Sequence, residues 1–251
     1  MGKRELAESA EESKYFASVH TATSEVEDES KEKQGTEHGT REMGILYPFI
    51  ISGGKNTERF YFKHINDLTD YKFNIKPEYF ADESNYTEVF SKRIREILSK
   101  NTDAKIYCVF DWDTIYADET CLKKHDAFVE EFVDEIKNGT VVICHSMPSI
   151  EYWFLLHFEE NCTELLKDYS AVSMRLAPHI KPCFSDSAPK LKKLLKMEKY
   201  LKDSTWVKNL IDNGKLEKAT KYAESNINAA QANDDLENQS FSYVYKIFKG
   251  G

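Results

Sequence analysis

No apolar run in this 251-residue chain approaches the roughly 20 residues that a membrane-spanning helix needs, so no membrane partner is expected. The opening stretch MGKRELAESAEESKY has no apolar core, and no signal peptide is expected there. Cysteine is sparse: five residues, at 108, 121, 144, 162 and 183, form no CxxC pair, and an odd count suits no closed disulfide framework. That spacing also argues against zinc. Cys108 and Cys144 lie inside apolar runs, where a free thiol behaves as a small hydrophobe, and a reducing cytosol is the simplest location. Positive charge is in deficit. Lys and Arg number 34 against 43 Asp and Glu, a net of −9, which excludes coating of nucleic acid through overall charge and leaves only a local basic surface for that work. No internal repeat is present.

What the chain does have is material for a core, with 41% hydrophobic and 13% aromatic residues. Residues 1–43 stand apart. They carry eleven acids against six bases and, beyond Tyr15 and Phe16, few groups worth burying. Such a segment cannot recover its ordering entropy, so it is expected to be a disordered or weakly helical acidic leader, with a short helix near 4–16.

From residue 44 the pattern alternates. GILYPFIIS (44–52) reads as a buried strand running into a Gly-Gly turn, and TERFYFKHINDL (57–68) as a helix with Thr57 as its cap. YKFNIKP (71–77) reads as a second strand. NYTEVFSKRIREILSK (85–100) places Tyr86, Val89, Phe90, Ile94, Ile97 and Leu98 on one helical face. AKIYCVFDWD (104–113) is a third strand, ETCLKKHDAFVEEFVDEIKNG (119–139) a helix closed by Asn-Gly, TVVICHS (140–146) a fourth strand, and PSIEYWFLLHF (148–158) a helix apolar nearly all round. Strands apolar on both faces and separated by helices predict a mostly parallel, four-stranded α/β sheet covered on each side. The core is expected over 44–160. Residues 161–251 read as a helical extension packed on it, with LKKLLKMEKYL (191–201) its clearest amphipathic piece.

In an open parallel sheet, ligands bind beyond the carboxyl ends of the strands. Three places qualify. In Asp111-Trp112-Asp113 the two acids, as i and i+2 of an extended chain, would leave one face together; repulsion between them favours a proton or a hard cation such as Mg²⁺ or Mn²⁺. The plainer reading is a solvated turn. In Ser52-Gly53-Gly54-Lys55-Asn56-Thr57-Glu58, Gly53 and Gly54 permit close approach of a phosphate or metal, and Glu58 lies in the first turn of a helix, where it either joins a site or complements the dipole. The Walker ending is missing. Glu151 is the only acid in a helix of large apolar side chains, and must be paired, hydrogen-bonded or bound to a cation unless it too serves the dipole. His157 is expected to be a packed, satisfied histidine.

ISGGKNTERFYF, VFDWD and MPSIEYWFLLHF, in that order, resemble the pattern of RloB-like proteins, in which an EGxxTExxYF segment, an hDxD strand end and an NPSFExWhLLHF helix recur across a TOPRIM-type, Rossmann-like core. The resemblance covers about 46–160. It implies a Mg²⁺-dependent nuclease-like protein of prokaryotic defence islands, acting on DNA or RNA, often beside an ATPase partner. It implies Asp111 and Asp113 as metal ligands, with Glu151 or Glu58 completing the shell or positioning water. One departure stands out: Gly53 occupies the place of the usual first-strand glutamate, SGG for CEG. The alternative is a non-catalytic metal- or nucleic-acid-binding regulatory subunit. Lys190, Lys192, Lys193, Lys196, Lys199 and Lys202 crowd 190–202 against a single Glu198; Lys190, Lys193 and Lys196 are the expected phosphate contacts, unless the stripe is simply a solvated face. Lys92, Arg93 and Arg95 form a smaller basic cluster.

Overall fold

The computed structural model describes residues 47–54, 56–76, 86–160 and 163–249. The acidic leader lies outside the described residues. The elements, in order, are β1 (Phe49–Ser52), α1 (Thr57–Leu68), β2 (Asn74–Lys76), α2 (Tyr86–Leu98), β3 (Ile106–Asp111), α3 (Asp113–Tyr116), α4 (Glu119–Glu131), α5 (Val133–Lys137), β4 (Val141–Met147) and α6 (Ile150–Leu155). There follow α7 (Tyr169–Ile180), α8 (Leu191–Leu194), α9 (Glu198–Leu201), α10 (Thr205–Ile211), α11 (Lys215–Ala232), β5 (Phe241–Ser242) and α12 (Tyr245–Phe248).

The strands form one sheet in the order β2-β1-β3-β4-β5, all parallel except β5, which runs antiparallel to β4. The fold is therefore α/β with a mostly parallel sheet, but five-stranded rather than four. The added strand comes from the C-terminal tail, where Ser242 pairs with Ser146 and Phe241 with Met147. Two paired residues carry no readable period, which is why the tail read as helical throughout. β1, β3 and β4 supply Ile50, Ile51, Ile106, Cys108, Val109 and Cys144, all buried. Their burial on both faces explains the unbroken apolar runs.

Two helices break where a single one was expected. Phe132 (φ −113°, ψ 27°) leaves helical geometry and separates α4 from α5, burying its ring beside Phe128. The basic segment likewise splits into α8 and α9 at an extended Met197. At the first helix, Asn56 rather than Thr57 occupies the cap position. Thr57 is the first helical residue, and its hydroxyl donates to the Leu195 carbonyl at 2.7 Å.

α6 is held at the centre. Trp153 Nε1 donates to the Tyr61 hydroxyl of α1 at 2.9 Å, and the Trp153 ring stacks on Phe248 of α12 at 5.7 Å. All six α6 residues are buried. Tyr61→Phe leaves that indole N–H without its acceptor, so it is expected to destabilise the fold by about 1–3 kcal/mol, read as a lower midpoint in urea unfolding.

Candidate functional site

Four carboxylates converge at the carboxyl end of the parallel strands. Glu58 opens α1, just after β1. Asp111 ends β3. Asp113 opens α3, and Glu151 lies in the first turn of α6, just after β4. Each comes from a different element, yet Asp111 lies within electrostatic reach of Glu58, Glu151 and Asp113. Burial first, then the charges of Glu58 and Glu151, push the Asp111 pKa well above the usual carboxylate range. Glu58 is pushed up to about 7 by burial and by Glu151. Glu151 and Asp113 are raised too, each chiefly by burial.

The expected alignment of Asp111 and Asp113 along an extended chain does not hold. Trp112 turns into helical geometry (φ −79°, ψ −29°), so only Asp111 belongs to the strand. The turn is anchored from β4: Trp112 N donates to Ser146 O at 2.9 Å and Asp113 N to Pro148 O at 3.1 Å. The two acids still share the site, brought together by the turn instead of by strand alternation.

Protein donors hold part of the cluster. Asp111 Oδ1 accepts from Ile150 N at 2.8 Å, so a strand-end carboxylate satisfies a free N–H at the start of α6. Ser149 Oγ donates to Glu151 Oε2 at 2.6 Å. Asp113 Oδ1 is buried and meets no hydrogen-bond partner among the described residues. Glu58 folds back over the first loop: a Cβ added at Gly54 would lie 2.0 Å from its Oε2. Gly54 is thus required for close approach of the carboxylate. We expect Gly54→Ala to displace Glu58 and weaken any divalent-cation stabilisation of the protein several-fold, measured as a smaller Mg²⁺-induced melting shift.

Gly53 behaves differently. It extends β1, its N–H donating to Val109 O at 2.8 Å, and a Cβ there would sit 3.3 Å from Phe110 Cβ. A side chain at 53 would therefore leave the sheet on the Phe110 face, whereas Asp111, the next residue along β3, points to the other.

Among the described residues, no three His, Cys, Asp or Glu side chains stand in an arrangement that could hold a metal ion as they are placed. The donors nevertheless suit a hard divalent cation. All four groups are carboxylates, all have raised proton affinity, and Asp113 offers an oxygen that no protein donor among the described residues meets.

The basic segment reaches this site through its backbone. Besides the Thr57 contact, Asn56 Nδ2 donates to Lys196 O at 2.9 Å, and His64 Nε2 bonds Leu201 O at 2.7 Å. The bonds from Asn56 and Thr57 satisfy carbonyls at the α8–α9 junction, where the helix is interrupted, and the bond from His64 satisfies one at the end of α9. Leu191, Leu194, Leu195 and Leu201 are buried, while Lys190, Lys192, Lys193, Lys196, Lys199 and Lys202 face outward. Lys196 lies close enough to Glu151 to offset part of its raised pKa.

A protein-family model described as RloB-like protein matches residues 48–249. The chain belongs to the RloB-like protein family. No curated protein and no solved structure matches it. Among the described residues of this RloB-like chain, no helix is long and apolar enough to cross a membrane.

Sequence reasoning missed the supporting side chains. Ser149 was an unremarked residue before Glu151, and the Asn56, Thr57 and His64 contacts span 137 to 140 residues, beyond any local signal. Tyr169 at the start of α7 also lies near Glu151, and Asp168 near Asp113. The smaller basic cluster is partly neutralised: Arg93 pairs with Glu96 at 2.9 Å, and Arg95 with Glu131. His157 is buried, its Nδ1 within 2.9 Å of Trp153 O, and burial holds it neutral by lowering its pKa to about 3.

Proposed function

We propose that this RloB-like chain is a Mg²⁺- or Mn²⁺-dependent, nuclease-like defence protein that hydrolyses phosphodiester bonds of DNA or RNA at a TOPRIM-like site. The observation that supports this reading is the convergence of Glu58, Asp111, Asp113 and Glu151, from four separate segments, with Glu58 and Glu151 buried and Asp111 and Asp113 half-buried beside them. Like charges gathered at a partly desolvated site are unfavourable unless neutralised by a proton or a cation, so a fold that gathers these four has a use for a cation.

Asp111, Asp113 and Glu151 would hold the ion. When bound, it supplies an acidified water and neutralises charge building on the scissile phosphate. Glu58, with a pKa near 7, is suited to take a proton from water on a carboxylate oxygen, since a base works best when its pKa lies near the working pH. Glu151 is the other candidate for that role. Lys190, Lys193 and Lys196 face outward, Lys196 within electrostatic reach of Glu151, and the three would draw a polyanionic strand toward the acids.

A second reading is favoured by Gly53, which stands where the resemblance leads one to expect glutamate. In that reading the chain keeps the metal- or nucleic-acid-binding scaffold and acts as a regulatory subunit with an ATPase partner. Panels of DNA and RNA incubated with Mg²⁺ or Mn²⁺ separate the two. Cleavage by the natural sequence that EDTA abolishes supports the hydrolase. No cleavage under any condition removes it.

A further inference from the structure

We propose that Ser149 is a positioning residue for Glu151, its hydroxyl holding the Glu151 carboxylate at the cluster as a ligand for the divalent cation. This rests on the metal-dependent reading above and adds the side chain that supports one of its ligands.

Ser149 follows β4 and occupies the cap position of α6, with extended backbone (φ −148°, ψ 173°). A serine in that place ordinarily uses its side-chain oxygen to accept from an amide of the first turn. This one makes no such bond. Other groups take over the task. Ile150 N donates to Asp111 Oδ1 at 2.8 Å, and Tyr152 N to the Ser149 carbonyl at 3.0 Å. The Glu151 amide serves its own carboxylate. With the first amides of α6 answered in this way, the Ser149 hydroxyl is left for another acceptor. It donates to Glu151 Oε2 at 2.6 Å.

That bond fixes a group with reasons to move. A glutamate side chain has several rotamers, and the charge of Asp113 close by disfavours those that face the cluster. Lys196 attracts Glu151 only as a point charge on a long, outward-facing stem. A hydroxyl donating to a charged oxygen is different: the bond is short and directional, and 2.6 Å falls in that range. Ser149 is 3% exposed and Glu151 6%, so water does not compete for it. Carboxylates that ligate metals are themselves held by such donors, and losing the donor lowers metal affinity about 10- to 100-fold. Because the amides of α6 do not use this hydroxyl, its contribution falls on Glu151 and not on the helix.

Isothermal titration calorimetry of the full chain with Mn²⁺ at pH 7.5 tests this, beside thermal melting in EDTA. Ser149→Ala should weaken Mn²⁺ binding about tenfold. It should still melt in one cooperative transition, since the first amides of α6 keep their acceptors. Ser149→Thr keeps the hydroxyl on extended backbone, which suits a β-branched residue, and should bind as the natural sequence does. In a Glu151→Gln background, Ser149→Ala should weaken binding no further, because the hydroxyl acts through that carboxylate. Equal affinity of Ser149→Ala and the natural sequence overturns the proposal, as does Ser149→Thr binding no better than Ser149→Ala. A tenfold loss that persists in the Glu151→Gln background also overturns it and leaves Ser149 a structural residue. Mn²⁺ left unbound by the natural sequence removes the proposal together with the metal site. Binding that depends on Ser149, with no cleavage of any nucleic acid, removes only the hydrolase. Cleavage with Mn²⁺ affinity indifferent to Ser149 removes only this inference.

Discussion

Asp111→Asn should abolish metal-dependent cleavage, by about 10³-fold or more, while the protein stays folded. The size follows from the several kcal/mol a bound ion contributes at the transition state, each 1.36 kcal/mol being about tenfold. Asp111 is the most informative position because it has two roles. Its Oδ1 accepts from Ile150 N at the start of α6, and its charge is coupled to Glu58, Glu151 and Asp113. Asparagine keeps an acceptor oxygen for Ile150 and loses the charge, so the catalytic effect separates from the structural one. Asp111→Ala removes both and should also lower stability. Asp113→Ala should lose cleavage without that penalty, since Asp113 Oδ1 has no protein donor among the described residues to forfeit. Single-turnover cleavage beside urea unfolding measures both effects. Cleavage by Asp111→Asn at the natural rate would remove Asp111 from the mechanism.

The metal-free protein should lose stability as pH rises, and Mg²⁺ should restore it only at the upper end. An acid whose pKa is raised on folding binds its proton more tightly in the native state. Its favourable contribution is complete below the unfolded pKa and is lost as pH climbs through the folded one. For Glu58 the window runs from about 4.5 to about 7, and Asp111, Asp113 and Glu151 shift in the same direction. A shift of that size on Glu58 corresponds to about 3 kcal/mol, on the order of 6–12 °C in melting temperature for a domain of this length. Glu58→Gln should remove much of the loss, giving a variant more stable than the natural sequence at pH 7.5 without metal. Melting curves at pH 5.0 and 7.5, with and without Mg²⁺, carry the result. A melting temperature flat across that range would mean that the four acids are not coupled as described.

Much of this site was legible because its acids sit at strand ends. β1, β3 and β4 announce themselves as apolar runs, and the rule that ligands gather at their carboxyl ends singles out Glu58, Asp111, Asp113 and Glu151. Glu151 stood out as the lone acid in an apolar helix. The illegible part was made by long-range contacts. Asp111 and Asp113 looked like neighbours on a strand, but Ser146 and Pro148 carbonyls, more than thirty residues on, draw the chain into a turn between them. The basic stripe looked like one helix because its leucines keep helical spacing. It breaks at Met197 because side chains of α1 take up its carbonyls. The fifth strand is two residues long, and its pairing with Ser146 and Met147 exists only once the tail has returned to the sheet.

Titration of the full chain with Mn²⁺ at pH 7.5, following free Mn²⁺ by electron paramagnetic resonance, tests the central claim most directly. One ion per chain bound by the natural sequence, and none at the same concentrations by Asp111→Asn, is the expected result. Mn²⁺ left free in the presence of the natural sequence, or held equally well by Asp111→Asn, would contradict a metal site built from these carboxylates.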